Sequence, residues 1–348
     1  FGNEMMRKLI NWQFYKLENL PIFALMKKYL YLLLVLLGAC SYEDTPPEQA
    51  LYCWKTQVQF SAEEADFVKN NRIERLYIRY CDVGLRDNAP VPIAPVDIDT
   101  LSLQGKTVIP VVYLKNEIFN PELTESNPTY ISTLAHKLGD YIEQINRYYR
   151  LRVSEVQFDC DWSLSTKQAY FSMLEAFKKE YPYQLSATIR LHQVKYREET
   201  GVPPVDYGVL MYYNMGRITA TGANSIYDRS TALRYLGKLR EYPLPLDIAL
   251  PMFAWGVHSA DGQVLNLVGG LTHAEAQAIS TLVRIDASDI YKVAEQTYYK
   301  GRVWQAGDLI KIEEVSDAQR KEMLADLREH SSEPIRRVIW FVGANLSD

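Results

Sequence analysis

The stretch from Val153 to Ser163, VSEVQFDCDWS, has the pattern of a short buried strand that ends in acidic residues. Because side chains alternate along a strand, Asp159 and Asp161 share one face with Ser163. The two carboxylates would lie roughly 7 Å apart, and they repel each other when both are ionised. Acids at the carboxyl end of a strand predict a functional site in a parallel α/β protein. The alternative is that they cap the helix predicted from Lys167 onward.

Strand patterns of this kind occur eight times after residue 50, with helical patterns between them. The strands are predicted over residues 51–59, 75–83, 106–114, 153–163, 184–191, 207–214, 245–255 and 336–342. The helices are predicted from residue 61 and over residues 128–150, 167–181, 230–241 (with Ser230 as N-cap), 288–299 and 316–330. This order predicts an α/β fold, a single-domain (β/α)8 TIM barrel, in which residues 256–334 insert a loop over the mouth. An open doubly wound sheet is the alternative, but no glycine-rich turn follows the first strand.

The N-terminal part has the layout of an exported lipoprotein precursor. Met26 starts MKKYLYLLLVLLGAC, which has two lysines, an apolar run and small residues in that order. The tetrapeptide Leu37–Cys40 resembles a bacterial lipobox, which implies cleavage before Cys40 and lipidation of that residue. The predicted segments are an upstream piece (1–25), a lipoprotein signal peptide (26–39), a lipidated tether (40–50) and the barrel domain (51–348). The expected location is the cell envelope, at the outer membrane of a Gram-negative bacterium, with the lipid as the membrane anchor. An uncleaved anchor helix is the alternative, although the apolar run is short for a span.

The composition argues against nucleic acid and against a metal site. The formal net charge is −5 and no basic patch is present, so no nucleic-acid partner is predicted. The sequence has no Cys-x-x-Cys and no histidine pair at helical spacing, so neither a metal nor a cofactor is predicted. After Cys40, an odd number of cysteines remains: Cys53, Cys81 and Cys160. A disulfide between Cys53 and Cys81 and buried free thiols are both open interpretations.

In a barrel of this kind the functional residues lie at the carboxyl ends of the strands. The predicted catalytic residues are the carboxylates Asp159, Asp161 and Glu117. The predicted substrate-binding residues are aromatic, amide and arginine side chains at strand ends: Trp54, Arg79, Tyr80, Gln157, Arg190, Tyr213, Asn214, Trp255 and Trp340. Amides and carboxylates bond hydroxyl groups, and aromatic rings stack on sugar faces, so this set predicts a carbohydrate partner.

Structural roles compete with the binding roles at several of these positions. Arg79 could be the ion-pair partner of Asp159, because a buried guanidinium needs a partner in either case. Trp54 and Trp255 could belong to the core, and Glu117 could be a solvated loop acid.

Four segments resemble strands of glycoside hydrolase family 18: FDCDWS (158–163), MYYNMG (211–216), ALPMFAW (249–255) and VIW (338–340). The resemblance implies a barrel that cleaves N-acetylglucosamine polymers with help from the acetamide group of the substrate. Asp159 and Asp161 match the two aspartates of the family's acidic strand. Tyr213 matches the tyrosine that contacts the acetamide, and Trp340 the tryptophan that floors the subsite.

The chain departs from that family at two positions. Ser163 stands where the family has its general-acid glutamate, and Asn214 replaces an aspartate. A hydroxyl cannot protonate a glycosidic oxygen at neutral pH. The chain also resembles an uncharacterised bacterial family of barrel lipoproteins in its segment Ser186-Ala187-Thr188, a resemblance that implies no activity.

Three functional interpretations remain open. In the first, the protein is a glycosidase in which Asp161 or Asp159 is the general acid and Glu117 the second carboxylate. In the second, it is a degenerate barrel that binds glycan without cutting it. In the third, it is an assembly or structural lipoprotein whose mouth is a partner site.

Overall fold

The computed structural model describes residues 46–343. The predicted signal peptide, the predicted lipidation residue Cys40 and most of the predicted tether lie outside the described residues. Within residues 46–343, no helix is both long enough and apolar enough to cross a membrane.

Eight parallel strands close into a barrel, so the predicted (β/α)8 fold is confirmed. The strands are β1 (Glu48–Cys53), β2 (Arg75–Arg86), β3 (Thr107–Leu114), β4 (Glu155–Asp159), β5 (Gln184–Arg190), β6 (Tyr207–Met211), β7 (Leu246–Pro251) and β8 (Arg337–Phe341). Each pairs with the next in sequence, and β1 pairs with both β2 and β8, which closes the sheet. β1 starts at Glu48, earlier than the predicted start at Leu51.

Helices pack around the barrel and connect its strands. They are α1 (Ala62–Asn70), α2 (Pro121–Ser126), α3 (Tyr130–Tyr149), α4 (Lys167–Glu180), α5 (Leu191–Lys195), α6 (Arg197–Thr200), α7 (Arg229–Leu236), α8 (His273–Ala278) and α9 (Asp317–His330). Short 3₁₀ turns cover Thr100–Leu103, Asn116–Phe119 and Leu239–Glu241. α7 is capped by the side chain of Asp228, which accepts from the amide of Thr231, so the predicted N-cap at Ser230 is wrong. An aspartate two residues earlier competes better for the free amides of the first turn.

The segment between β7 and β8 folds as a small antiparallel sheet of its own. Its five strands are Gln263–Gly269, Trp255–Ala260, Leu309–Glu313, Ile290–Val293 and Leu282–Arg284, in that spatial order, and a separate hairpin pairs Thr297–Tyr299 with Arg302–Trp304. The helix predicted over residues 288–299 is therefore wrong. The β-branched and aromatic residues Ile290, Tyr291 and Val293 pair in strands, where their side chains pack well. We call residues 255–313 the insertion.

The inner and outer faces of β4 show how alternation places the site. Phe158 faces outward, and its ring packs edge-on against Phe177 of α4 with the centroids 4.9 Å apart. Gln157 and Asp159 face inward, as the alternation predicts. Burial of an aromatic such as Phe158 stabilises the fold by about 1.5–3 kcal/mol, which holds β4 in the register that aims Asp159 into the barrel.

Polar side chains fill the end of the barrel opposite the site. The guanidinium of Arg337 donates to Tyr77 (2.6 Å) and to Asp247 (2.8 Å), and Tyr207 donates to Glu155. Burial raises the pKa of Glu155 to about 7, against the opposing attraction of Arg337. Buried charge of this kind is costly unless it is paired and hydrogen-bonded, as it is here.

Further short strands flank the barrel. Gln57–Val58 pairs with Asp97–Ile98, and Ala89–Ile93 runs antiparallel to the extended end of β2. The three described cysteines, Cys53, Cys81 and Cys160, are buried free thiols, so the open question of a Cys53–Cys81 disulfide is answered by the thiol alternative. Burial raises the pKa of Cys53 and of Cys81 to about 12.

Candidate functional site

Asp159 lies at the end of β4 and is buried, with only 5% of its surface exposed. Its carboxylate accepts a hydrogen bond from the hydroxyl of Thr188 on β5 (2.6 Å). Burial raises its pKa, the nearby Arg190 opposes the rise, and the negative charge of Asp161 adds to it. The carboxylate that the sequence placed at the site therefore ionises less readily than a solvated aspartate.

Arg190, the last residue of β5, joins both acids. Its guanidinium forms a two-pronged contact with Asp161, in which one terminal nitrogen lies 3.2 Å from Oδ2, and it also lies 3.7 Å from Oδ1 of Asp159. The side chain of Asp161 is about half exposed (52%). Two-pronged pairs between arginine and a carboxylate fix the orientation of both groups. The pairing with Arg190 thus fixes the orientation of Asp161 at the mouth of the barrel.

Two cavities meet at this ion pair. The smaller has a volume of about 250 Å³ and lies over Asp159, and the larger has a volume of about 490 Å³. Both are lined by Asp161, Arg190, Met211, Tyr213 and Asn214. The smaller is also lined by Tyr52, Trp54, Asp82, Tyr113 and Phe341, and the larger by Trp162, Leu191, His192, Met215 and Tyr235. The mouth of the barrel is therefore a groove with two compartments, lined by aromatic and charged side chains.

Six of the predicted site residues line these cavities: Asp159, Asp161, Arg190, Tyr213, Asn214 and Trp54. Tyr213 stacks on Phe341 with the centroids 5.2 Å apart, and its pKa is raised by burial. Asn214 has a left-handed backbone (φ 54°), a conformation that asparagine tolerates better than most residues. Gln157 lies one layer deeper, where it accepts from the hydroxyl of Tyr52 (2.6 Å) and lines neither cavity.

Three predicted site residues at the ends of β2 and β3 do not line the cavities. Arg79 pairs with Asp82 (2.7 Å), not with Asp159. Tyr80 faces outward, and its hydroxyl donates to Asn146 of α3 (2.8 Å), so its position does not suit substrate binding. Glu117 is exposed on a 3₁₀ turn, accepts from the amide of Leu85 (3.3 Å) and lines neither cavity.

The two predicted tryptophans at the ends of β7 and β8 are also turned away from the cavities. Trp340 lies on the outer face of β8 and donates to Gln49 (2.8 Å), because Phe341, one residue later, takes the inner face. Trp255 is buried as the first residue of the insertion, and its indole nitrogen donates to Glu313 (2.8 Å). Phe341 therefore takes the position at the cavity that the resemblance assigned to Trp340.

Asp82 is a cavity residue that the sequence-based site left out. The register of β2 shifts between Arg79 and Cys81, and this bulge returns Asp82 to the inner face next to Tyr113 and Asp159. Its place at a strand end was visible in the sequence, but the bulge was not. Its charge contributes to the raised pKa of Asp159.

Ser163 occupies the turn between β4 and α4. Its hydroxyl lies 3.0 Å from that of Ser165 and 3.1 Å from that of Thr166, and the residue is exposed. It lines neither cavity. Ser163, two residues after Asp161, thus has a hydroxyl that contacts other hydroxyls.

The fold places the chain in the class of (β/α)8 barrels with the fold of glycoside hydrolase family 18 chitinases. The spore cortex-lytic enzyme SleL from Bacillus cereus is 16% identical, with a TM-score of 0.52 over 85% of this chain and 70% of that one. The class V chitinase from Nicotiana tobaccum is 9% identical, with a TM-score of 0.50 over 86% and 94%. An immunomodulatory active chitinase from Trichuris suis is 10% identical, with a TM-score of 0.50 over 85% and 92%. At these identities the similarity shows the fold alone.

No protein-family model matches the chain. No curated protein matches it in sequence either. The function therefore has to be argued from the site.

Proposed function

We propose that the protein binds a β-linked glycan of N-acetylhexosamine units at the mouth of the barrel and does not cleave it. The observation that carries the proposal is the two-pronged pairing of Asp161 with Arg190 inside a groove lined by Trp54, Tyr213 and Phe341. Sugar rings can stack on the faces of aromatic rings. A fixed carboxylate accepts hydrogen bonds from hydroxyl and amide groups, and a fixed guanidinium donates hydrogen bonds to their oxygen atoms. The chitinases among the similar structures support this choice of sugar.

Binding without cleavage is favoured because the described site lacks a suitably placed proton donor. A general acid has to be protonated and within hydrogen-bond reach of the glycosidic oxygen. Asp161 is already paired with Arg190, and the pKa of Asp159 is raised by burial but its carboxyl group lies buried beneath that pair. Glu117 points away from both cavities, and Ser163 offers only a hydroxyl.

The test is a titration of the wild type and of Asp161→Asn with a panel of β-linked glycans, followed by product analysis. We expect binding of chitin oligosaccharides without new products, and binding weakened by Asp161→Asn. Products released by the wild type at a rate of enzymatic turnover would reject the non-hydrolytic proposal. A wild type that binds no glycan in the panel would favour the assembly role instead.

Hydrolysis is the second candidate, and the carboxylate of Asp82 is the observation that favours it. Asp82, Asp159 and Asp161 line the same cavity of about 250 Å³, and most glycosidases use two carboxylates. In this version Asp82 takes the role that the sequence assigned to Glu117. Turnover by the wild type that is abolished by Asp82→Asn and kept by Glu117→Gln would establish it.

We propose further that Cys40 carries a lipid that holds the barrel at the cell envelope. The basic, apolar and small-residue order of residues 26–39 supports this proposal. Metabolic labelling with a radioactive fatty acid should mark the wild type and leave Cys40→Ala unlabelled. Equal labelling of both, or of neither, would contradict lipidation at this residue.

A further inference from the structure

The loop that follows β6 forms part of the wall of the larger cavity. Asn214 and Met215, at its start, line that cavity. The amide of Gly216 donates to the carbonyl of Ser225 (3.1 Å), and a Cβ on Gly216 would lie 3.2 Å from the Cα of Ser225. The two ends of the loop are therefore in close contact, which suits a glycine. Ser225 thus contacts the loop directly after Asn214 and Met215, the residues that line the cavity.

Ser225 is held in turn by Glu313 of the insertion. Its hydroxyl donates to Oε2 of Glu313, and the indole nitrogen of Trp255 donates to the same oxygen (2.8 Å). The ammonium of Lys311 lies 2.7 Å from Oε1. Ser225, Glu313 and Lys311 are all buried, with 1%, 0% and 3% of their surfaces exposed. Hydrogen bonds to a buried carboxylate are the stronger kind, so this is a firm anchor.

Two further contacts tie the same loop to the insertion and to the residue that follows it. Lys311 donates to the carbonyl of Ala223 (3.5 Å), and the side-chain amide of Asn224 donates to the carbonyl of Glu314 (2.8 Å). Three consecutive loop residues, 223–225, are therefore bonded to residues 311–314.

A second line of contacts runs from the anchor to the site through aromatic rings. The ring of Trp255 lies 5.1 Å from that of Phe253, which meets Tyr213 edge-on at 5.7 Å. Tyr213 lines both cavities. The insertion thus supports the site from the loop and from the ring of Tyr213.

We propose that Glu313 is a positioning residue that, through Ser225, holds the wall of the larger cavity and so sets the affinity for sugar units beyond the first. The inference rests on the proposed glycan binding. Glu313 lines neither cavity, so it acts through the loop and the rings. Met215 lines only the larger cavity, so a longer chain that reaches this cavity depends on the wall more than a single sugar held over Asp159 in the smaller one.

The test compares N-acetylglucosamine with chitotetraose by calorimetry on the wild type and on Ser225→Ala, which removes only the hydroxyl that binds Glu313. We expect chitotetraose binding to weaken about tenfold, the scale of one hydrogen bond to a charged group, and N-acetylglucosamine binding to stay within about twofold. Ser259→Ala is the matched control, because Ser259 is buried like Ser225 but lies in the insertion, and its hydroxyl donates to the carbonyl of Leu309 (3.4 Å), away from the loop.

Equal weakening of both sugars by Ser225→Ala, or an equal effect of Ser259→Ala, would overturn the positioning role and leave glycan binding intact. A wild type that binds neither sugar would overturn the proposed function and the inference together. Hydrogen exchange on the wild type gives a measurement that needs no variant. The amides of residues 216–225 should exchange more slowly with chitotetraose than with N-acetylglucosamine, and equal rates with the two sugars would reject the inference.

Discussion

The guanidinium of Arg190 is hydrogen-bonded to the carboxylate of Asp161 and lies 3.7 Å from that of Asp159, so one cation pairs with two acids. The pair stands where the two cavities meet, and both of its members line both cavities. Arg190 stabilises the charge of the buried Asp159 and also presents Asp161 to the groove. A change at Arg190 is therefore expected to alter the ionisation of one acid and the orientation of the other.

Arg190→Gln should raise the pKa of Asp159 above its wild-type value, because the attraction of Arg190 opposes the effect of burial. It should also weaken chitotetraose binding by about tenfold, since a hydrogen bond to a charged group contributes about 1.5–3 kcal/mol. Carbon-13 NMR of labelled aspartate checks the first effect, and calorimetry checks the second. Arg152→Gln, at an exposed position before β4, is the control. An Asp159 that titrates as in the wild type would contradict the assigned coupling.

Ser163→Glu should convert the binding site into a weakly hydrolytic one. The sequence resemblance to glycoside hydrolase family 18 predicts a general acid at this position, and a positioned acid contributes about 10²–10⁴-fold in rate. The measurement is chromatography of chitotetraose products over time. Ser165→Glu places the same charge two residues away in the same exposed turn. If Ser163→Glu releases products no faster than that control, the missing acid is not what prevents cleavage.

Phe341→Leu should weaken glycan binding by about tenfold, and Trp340→Leu should leave it unchanged. Phe341 lines the smaller cavity and stacks on Tyr213, whereas Trp340 faces outward to Gln49. A ring–sugar stack is expected to contribute about 1 kcal/mol or more, as aromatic pairs do. Thermal unfolding of both variants shows whether each is folded at the temperature of the titration. The opposite ranking of the two variants would mean that Trp340 reaches the sugar.

Glu155 should make the protein less stable as the pH rises through neutrality. Its pKa is raised from 4.5 to about 7 in the folded state, so folding binds its proton more tightly than the unfolded chain does. Its favourable contribution is complete below pH 4.5 and is lost as the pH rises through about 7, a change of about 3 kcal/mol.

The check is urea unfolding of the wild type and of Glu155→Gln from pH 4 to pH 8. The difference in free energy of unfolding, wild type minus variant, should fall over this range by that amount. Glu125→Gln, at an exposed site on α2, should show a constant difference. A constant difference for Glu155→Gln would mean that Arg337 and Arg75 hold this carboxylate fully ionised.

The features of the fold and site that could be predicted from the sequence are those that depend on the local pattern of apolar and polar residues. Alternation along β4 was enough to place Asp159 on the inner face, and the order of eight strands was enough for the barrel. At β8 the resemblance pointed to Trp340, but one residue decides which side chain faces the cavity, and the alternation there gives that position to Phe341. The prediction for the insertion failed for a different reason, because Tyr291 pairs on one side with Arg284 and on the other with the distant Ile310.

The electrostatic partners of the site could not be predicted for a similar reason. Arg79 was matched with Asp159, but a bulge in β2 brings Asp82 inward and gives Arg79 a partner three residues away. The pairing of Arg190 with Asp161 depends on the neighbouring order of β4 and β5 and on rotamers that the sequence does not record. Glu117 follows the end of β3 in the sequence, but it lies on a 3₁₀ turn that directs its side chain outward.

Trp255 and Glu313, the two ends of the insertion, are direct cross-strand partners. The chain therefore leaves the barrel and returns to it at almost one place, and the distance between β7 and α9 does not depend on what lies between. Lengthening or exchanging the strands inside the insertion is therefore expected to leave barrel closure undisturbed. The molecule is in this respect modular, because the barrel forms a constant frame and the insertion joins it at a single pair of neighbouring residues.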